Sequence, residues 1–264
     1  MSLAAAYIFG RKQGVDLFLD AFTGSSGAWS LRKLKSTSNK VIRVRRTSDN
    51  TQNDFSELEI NDGTLVSFCG VGSGRVSIIY DQIGSNNFTN TVSNRQGEIV
   101  TNGILNTLNG KPIILRKDGN TGYTSTFAPN NGVTVKNILY VGNLSIYNTA
   151  VLFGSSNGIN DIFLAASTDT TSNVNNNVTV TNQRKNSSSF TPTTRQQVLN
   201  ETANQFLLSS NIDFNFEFNL LSLGYRFQSP FNFGMFHFQE LVIFENTTDI
   251  SGKETAINNN YSIY

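Results

Sequence analysis

The stretch AWSLRKLKSTSNKVIRVRRTSDNTQNDF, residues 28–55, decides the fold of this chain. Its second half alternates apolar and basic residues over Val41–Arg46, which is typical of a strand with one buried face. Before that strand, Ala28, Leu31 and Leu34 recur at every third position, which predicts a short amphipathic helix. The stretch therefore predicts a helix, a strand and a polar loop in that order.

The same stretch holds a cluster of cations in a chain that is otherwise poor in charge: Arg32, Lys33, Lys35, Arg43, Arg45 and Arg46. Arg43 and Arg45 share one face of the predicted strand, and Asp49 and Asp54 follow in the loop, so we predict a structural Arg–Asp network. Nucleic-acid binding would need a net basic domain or interleaved aromatic residues. The net charge is only +1 and aromatic residues are not interleaved with the cations, so we expect no nucleic-acid binding. Binding of an anionic sugar or a lipopolysaccharide phosphate stays open.

The composition favours a folded β-protein. Hydrophobic residues make up 38% of the 264 residues, charged residues 15%, and the chain has 20 Phe and 8 Tyr. Short alternating segments separated by Gly, Asn, Asp and Ser follow along the chain, which is typical of an all-β sandwich. The clearest are Asp213–Asn219 and Met235–Glu245, and Val15–Asp20 is interpreted as a first strand. We expect an N-terminal arm at residues 1–14 and one sandwich at residues 15–264.

Near the C-terminus, Ser251 and Glu254 match a capping box with Ile250 as the staple residue, which predicts a closing helix. Several acidic pairs have structural interpretations. Glu57 and Glu59 are predicted to share the solvated face of a strand. Glu240 and Glu245, five residues apart on one strand, are predicted to lie on opposite faces as edge or salt-bridge residues.

Several classes of protein are excluded or disfavoured. The single cysteine, Cys69, permits no intrachain disulfide, and the single histidine, His237, excludes a multi-histidine metal site. The sequence predicts no membrane span and no signal peptide, which disfavours a secreted carbohydrate-binding module. We expect no cofactor. Asp118–Asn120 resembles part of a calcium loop, but it lacks the bidentate glutamate and is interpreted as a hairpin turn.

Residues 28–55 resemble the start of the catalytic-domain-like sandwich of the α-L-arabinofuranosidase B family. Three further segments resemble that family in the expected order: VSIIYDQIG at 76–84, LNGKP at 108–112 and FQELVIFE at 238–245. The resemblance implies an all-β, concanavalin A-like jelly-roll sandwich, with short helices near the N-terminus and at the C-terminus. It is closest to the form of this module found in phage tail and other virion proteins.

The resemblance also bears on catalysis. In the enzymes of the family, the nucleophile is a Glu and the acid/base an Asp; the equivalent positions here carry Thr149 and Phe227. Neither can replace a carboxyl group, and the family's pair of adjacent cysteines is reduced to Cys69. We therefore predict a non-catalytic structural or adhesion protein of a phage particle. The alternative is a glycoside hydrolase of the arabinofuranosidase type.

A particle protein implies other virion subunits as partners and a location in the virion after synthesis in the host cytoplasm. We also expect this chain to form a homo-oligomer. Host surface glycans are a further expected ligand. The predicted glycan-binding residues are Asp81, Tyr123, Tyr225 and Phe227. For Asp81 an alternative stays open, namely an Asx-type turn in which the carboxylate accepts local backbone N–H groups.

Overall fold

The computed structural model describes residues 17–115, 133–145, 149–155, 161–166, 174–175, 178–218, 221–223 and 235–264. Strands make up most of this structure. In chain order they are β1 (Ser25–Ser30), β2 (Ile42–Arg46), β3 (Gln52–Phe55), β4 (Gly74–Ile79), β5 (Phe88–Thr89), β6 (Glu98–Thr101), β7 (Ile104–Leu105), β8 (Thr107–Leu108), β9 (Lys111–Pro112), β10 (Val133–Ser145), β11 (Thr149–Ser155), β12 (Asp161–Ala166), β13 (Val180–Lys185), β14 (Ser188–Ser189), β15 (Phe206–Phe218), β16 (Leu221–Leu223) and β17 (Met235–Phe244).

The helices are short, except for the last one. They are α1 (Phe18–Ala21), α2 (Glu57–Asn61), α3 (Thr64–Cys69), α4 (Arg195–Glu201) and α5 (Ile250–Tyr261), with one 3₁₀ turn at Ser93–Arg95. Within the described residues, no helix is long and apolar enough to cross a membrane.

Two six-stranded antiparallel sheets dominate the structure. Sheet 1 has the order β1-β17-β10-β15-β13-β14, and sheet 2 has the order β3-β2-β4-β6-β7 with β5 paired to β4. A three-stranded sheet, β12-β11-β16, and the β8–β9 hairpin complete it. Most neighbours in sheet 1 are distant in sequence, since β1 pairs with β17 and β10 lies between β17 and β15, whereas β13 and β14 form a local hairpin. The all-β, jelly-roll-like sandwich predicted from the sequence is confirmed.

The main core lies between the two large sheets. Ile42 and Val44 from β2 and Val76 from β4 belong to the same buried cluster as Tyr140 from β10 and Leu241 from β17. The opposite face of sheet 1 packs against helices: its alternate residues cluster with side chains of α1 and α5. Sheet 1 is therefore buried on both faces, and this explains why β17 reads as apolar on both sides in the sequence.

The helix predicted at Ala28–Leu34 is wrong, because Ala28–Ser30 belong to β1. Trp29 is fully buried in the main core, while its neighbour Ala28 packs in the cluster on the helix side of sheet 1. Both faces of β1 are thus covered, so its apolar spacing reflects burial on two sides and not one face of a helix. The segment is a strand because its backbone pairs with β17.

Two predicted strands are also helical. Phe18–Ala21 forms α1, which buries Phe18 and Leu19. Glu57 and Glu59 lie on α2, where Ser56 and Glu59 form a capping box. The sequence Ser56-Glu-Leu-Glu59 carries that signature, which outweighs the alternation that suggested a strand.

The C-terminal helix is confirmed, but it begins differently. Asp249 is the N-cap, and its carboxylate accepts a hydrogen bond from Gly252 N at 3.1 Å. Glu254 is fully buried and pairs with Arg184 of β13 at 2.9 Å instead of capping the helix. The predicted capping box at Ser251–Glu254 is wrong, because Asp249 is the N-cap residue and Glu254 forms an ion pair with Arg184 of sheet 1.

Candidate functional site

An open polar groove of about 420 Å³ lies between two loops of the sheet 2 side. We call it the Lys40 groove. Its lining is mostly hydroxyl and amide side chains, with one lysine, and consists of Thr37, Ser38, Asn39, Lys40, Tyr80, Asp81, Gln82, Ile83, Gly84, Ser85 and Asn87. One loop leads into β2 and the other follows β4, so the pairing of these strands places the two walls side by side.

Behind one wall of the groove, Asp54 is the centre of a charged cluster. Arg43 donates to both of its oxygens, at 2.7 and 3.1 Å, and the Tyr80 hydroxyl donates at 2.6 Å. Lys40 Nζ lies 3.0 Å from Asp54 Oδ2. Arg43 and Asp54 face each other in the register of the β2–β3 hairpin, which sets up the fork-like contact.

The charges of this cluster are stable near neutral pH. The hydrogen bond from Arg43 is the largest cause that holds the pKa of Asp54 well below its usual range. Hydrogen bonding to Asp54 raises the pKa of Lys40, and burial raises the pKa of Tyr80. Asp54 is therefore anionic, Lys40 cationic and Tyr80 neutral, and none of the three exchanges protons readily at pH 7.

Lys40 is both held and accessible. Its Nζ lies 4.1 Å from the centre of the Tyr80 ring, so a cation–π contact adds to the ion pair with Asp54. Even so, its side chain is 47% exposed. An ammonium group has three N–H donors, so Lys40 can contact a ligand in the groove without leaving Asp54.

Asp81 lies at the base of the second loop and is buried. Its Oδ1 accepts hydrogen bonds from Ala28 N at 3.1 Å and Ile83 N at 3.2 Å, and its Oδ2 accepts one from Asn86 N at 3.2 Å. Burial raises the pKa of Asp81, and these backbone hydrogen bonds oppose that rise. The geometry is that of the turn interpretation, with an added link to β1. A role for Asp81 as a glycan ligand stays a prediction.

Gln82 joins the two loops. Its side-chain oxygen accepts from Leu34 N at 2.7 Å, and its amide nitrogen donates to Arg32 O at 2.8 Å. Its main-chain oxygen accepts from Ser38 Oγ at 3.2 Å. The two walls of the groove are thus fixed to each other and to the segment after β1.

The remaining predicted glycan-binding residues, Tyr123, Tyr225 and Phe227, lie outside the described residues. Thr149 is the position that the family resemblance implies for the nucleophile. It is the first residue of β11, and its side chain is not described.

The predicted Arg–Asp network differs in its pairing. Arg43 binds Asp54, but Asp49 binds Arg46, at 2.6 Å. Arg45 takes uncharged partners instead: Gln96 at 2.8 Å, Asn50 at 2.6 Å and the Ser93 carbonyl at 2.9 Å. The expected pairing of Arg45 with an aspartate is wrong, because its side chain points across β4 towards the segment before β6.

The Lys40 groove suits binding better than hydrolysis. A retaining glycosidase needs two carboxyl groups about 5–5.5 Å apart on either side of the scissile bond. The lining of the groove contains one carboxylate, Asp81, whose oxygens are taken up by backbone N–H groups. Asp54, behind Tyr80, is a weak base because three donors stabilise its charge. Within the described residues, no cluster of three or more His, Cys, Asp or Glu could hold a metal ion.

Sequence reasoning missed Lys40 and Tyr80. The sequence did carry one signal for Lys40, namely that it lies just before β2, next to the arginines of that strand. Tyr80 carried no signal of its own, because its place beside Asp54 depends on the pairing of β2 with β4.

Neither a protein-family model nor a curated protein matches the sequence. Solved structures do match. One is an arabinofuranosidase complexed with arabinofuranosyl-α-1,2-xylobiose, at a TM-score of 0.54 and 16% identity. A second is a glutamate-to-glutamine mutant of a glycoside hydrolase family 54 α-L-arabinofuranosidase soaked with 4-nitrophenyl α-L-arabinofuranoside, at 0.54 and 15%. A third is an enzyme of the same family soaked with a cyclic sulfate inhibitor, at 0.56 and 15%.

Each match covers 90% of this chain and 62% of the enzyme's chain. The chain therefore spans less than two thirds of the length of the enzymes it resembles. The matches contradict two predictions, that the protein is a non-catalytic component of a phage particle and that it is not an enzyme, since all three matched proteins are glycosidases. At this identity, what the chain shares with the arabinofuranosidases is their β-sandwich fold.

Proposed function

We propose that this protein is a glycoside hydrolase of the arabinofuranosidase type. The observation that carries the proposal is the extent of the fold similarity. Each match covers 90% of the chain, and all three matched proteins are arabinofuranosidases. Because one fold can serve several activities, the proposal needs a test at the level of the carboxyl groups.

The buried carboxylates of the described structure do not supply the catalytic pair. Glu98 pairs with Arg75 at 3.3 Å, Glu240 with Arg32 at 2.7 Å and Glu254 with Arg184 at 2.9 Å. Each of these charges is neutralised by an arginine within the sandwich, which suits structure and not acid–base exchange.

We expect the catalytic carboxyl groups of the proposed enzyme among the acidic residues whose side chains lie outside the described part: Asp16, Asp118, Asp161, Asp169, Asp213 and Glu217. Asp161 is the first residue of β12 and is in register with Gly154 of β11. In the same register Thr149, the position implied for the nucleophile, pairs with Ala166 at the other end of the two strands, so Asp161 does not replace it directly.

The test is release of 4-nitrophenol from 4-nitrophenyl α-L-arabinofuranoside by the full chain, with other nitrophenyl glycosides for comparison. Six single variants replace each of these carboxylates by its amide. Loss of a general acid, base or nucleophile is expected to lower kcat by about 10²–10⁴-fold or more, at two of the six positions. Asp49→Asn is the matched control, since Asp49 pairs with Arg46 on the surface and is expected to retain full activity.

Product stereochemistry, followed by NMR, separates the two hydrolytic mechanisms. Absence of hydrolysis across the panel by the folded chain would overturn the proposal. So would hydrolysis that none of the six substitutions affects, because it would come from a contaminating enzyme or from carboxylates that the structure shows as paired.

A further inference from the structure

We propose that the Lys40 groove is a saccharide-binding site for acidic sugars, which receives the carboxylate of a uronic acid unit at Lys40. This site goes beyond the proposed hydrolysis, because it contains no pair of catalytic carboxyl groups and needs none. Its ligand would be a polysaccharide or oligosaccharide with uronic acid units.

The size of the groove fits a sugar ligand. Small-molecule sites in proteins commonly measure about 300–1,000 Å³, and the Lys40 groove measures about 420 Å³. It is open at the surface along the loop Thr37–Lys40, three of whose four residues are exposed. An open groove admits one or two units of a longer chain without enclosing its ends.

The chemistry of the lining favours a polyhydroxylated ligand over an apolar one. Thr37, Ser38 and Ser85 present hydroxyl groups, and Asn39 and Asn87 present amides. These groups donate and accept hydrogen bonds, as sugar hydroxyls require. Ile83 is the one aliphatic side chain among the lining residues.

The most exposed charge of the groove is positive. Lys40 and Arg43 carry two positive charges, and Asp54 and Asp81 carry two negative ones, so the four charges sum to zero. Asp81 is buried and turned towards the backbone N–H groups of Ala28, Ile83 and Asn86, whereas the Lys40 side chain is 47% exposed. A ligand in the groove therefore meets the ammonium group of Lys40 before it meets either carboxylate.

A carboxylate fits this charge better than a phosphate group. Phosphate sites usually combine several donors, such as an arginine fork or a series of backbone N–H groups. Here the nearby arginine, Arg43, already donates two guanidinium hydrogen bonds to Asp54. A single ammonium group offers point-like attraction to one charge, which matches a sugar carboxylate.

The site is also preorganised. Lys40 is held by Asp54 and by the Tyr80 ring, and Gln82 ties the two loops together. A ligand that meets groups already in place loses less free energy to ordering them. The groove therefore binds without rearrangement of its walls.

Isothermal titration calorimetry of the full chain tests the site, with trigalacturonate as the acidic probe. Maltotriose serves as the neutral probe of equal length, and inorganic phosphate as the competing anion. We expect trigalacturonate to bind, more weakly at high salt because the contact is ionic, and maltotriose to bind at least about tenfold less tightly, since a hydrogen bond to a charged group is lost.

Two variants locate the binding. Lys40→Met removes the charge and keeps the aliphatic stem, and Ser85→Asp places a negative charge in the groove; each is expected to weaken trigalacturonate binding about tenfold or more. Lys35→Met is the matched control, because Lys35 lies on the same surface segment but does not line the groove. Lys40 and Ser85 are both exposed, so we expect both variants to fold, and thermal unfolding checks this.

Each contrary result overturns the proposal. Equal binding of maltotriose would show a site for neutral sugars, and tighter binding of phosphate would show a phosphate site. Binding that Lys40→Met and Ser85→Asp leave unchanged would place the ligand elsewhere, and absence of binding by any probe would show no saccharide site. Since no turnover is measured, the outcome is separate from the test of hydrolysis.

Discussion

Glu240 accepts two hydrogen bonds from Arg32, one from Nε at 2.7 Å and one from Nη2 at 2.9 Å. The carboxylate is fully buried, and the arginine side chain is 14% exposed. Ser30 Oγ and the Tyr261 hydroxyl also donate to Glu240, at 2.8 and 3.2 Å. One carboxylate on β17 therefore joins the end of β1 to the C-terminal helix α5.

The first prediction concerns this pair. Burial disfavours the charge of Arg32, but Glu240 more than compensates and raises the pKa of the arginine. Arg32→Met leaves Glu240 without its counter-ion and is expected to lower the free energy of unfolding by about 3–5 kcal/mol. The double variant Arg32→Met/Glu240→Gln is expected to lose less than the sum of the single changes. Urea unfolding of the four proteins measures this coupling, and additive losses would show that the two side chains act independently.

The second prediction concerns pH. The pKa of Asp54 is lowered in the folded protein, chiefly by the hydrogen bond from Arg43. A lowered pKa means that the carboxylate stabilises the fold above its unfolded pKa of about 3.9 and that this stability is lost as the pH falls below it. Asp54→Asn is therefore expected to cost about 1–2 kcal/mol at pH 7.

The cost of Asp54→Asn is expected to shrink steadily below about pH 4. Unfolding free energies from pH 7 to pH 2 check it, for both the original protein and the variant. Arg43→Met supplies the control background, in which the same substitution is expected to cost less at pH 7. A cost that stays constant over the whole range would contradict the assignment.

How much of the fold follows from the sequence depends on where each strand finds its partner. The β2–β3 hairpin is local, and its alternation and polar turn identify it directly. In contrast, β1 pairs with β17, more than two hundred residues away. Local spacing at Ala28–Leu34 therefore suggested a helix, because nothing nearby reveals the sheet that covers both faces of the segment.

The same distinction applies to the Lys40 groove. The contact between Arg43 and Asp54 follows from the register of one hairpin, and it could be predicted. Tyr80, the residue after β4, reaches Asp54, and Asp81 reaches Ala28 across 53 residues of sequence. These contacts depend on strand order, which residue types alone do not report.

The third prediction concerns Cys69, which ends α3 and is 3% exposed in the main core. Burial raises the pKa of its thiol to about 11. Since the thiolate is the reactive form, we expect almost no reaction with a thiol reagent at pH 8 in the native protein and complete reaction in denaturant. Rapid labelling of the native chain would show that α3 opens readily or packs differently.

The last prediction concerns Gly142, where β10 bulges against β17. A Cβ at this position would collide with the carbonyl oxygen of His237 and would lie 2.9 Å from Tyr140 Cζ. That carbonyl already accepts the Tyr140 hydroxyl at 2.5 Å, so neither group can move away without breaking a buried hydrogen bond. Gly142→Ala is expected to lower the free energy of unfolding by about 1–3 kcal/mol or more.

Gly72→Ala is the matched control, because the nearest atoms to a Cβ there lie at 3.4 Å, and it is expected to change stability by about 0.5 kcal/mol or less. Urea unfolding followed by the fluorescence of Trp29 compares the two, and equal stability of both variants would show that the bulge has room for a side chain.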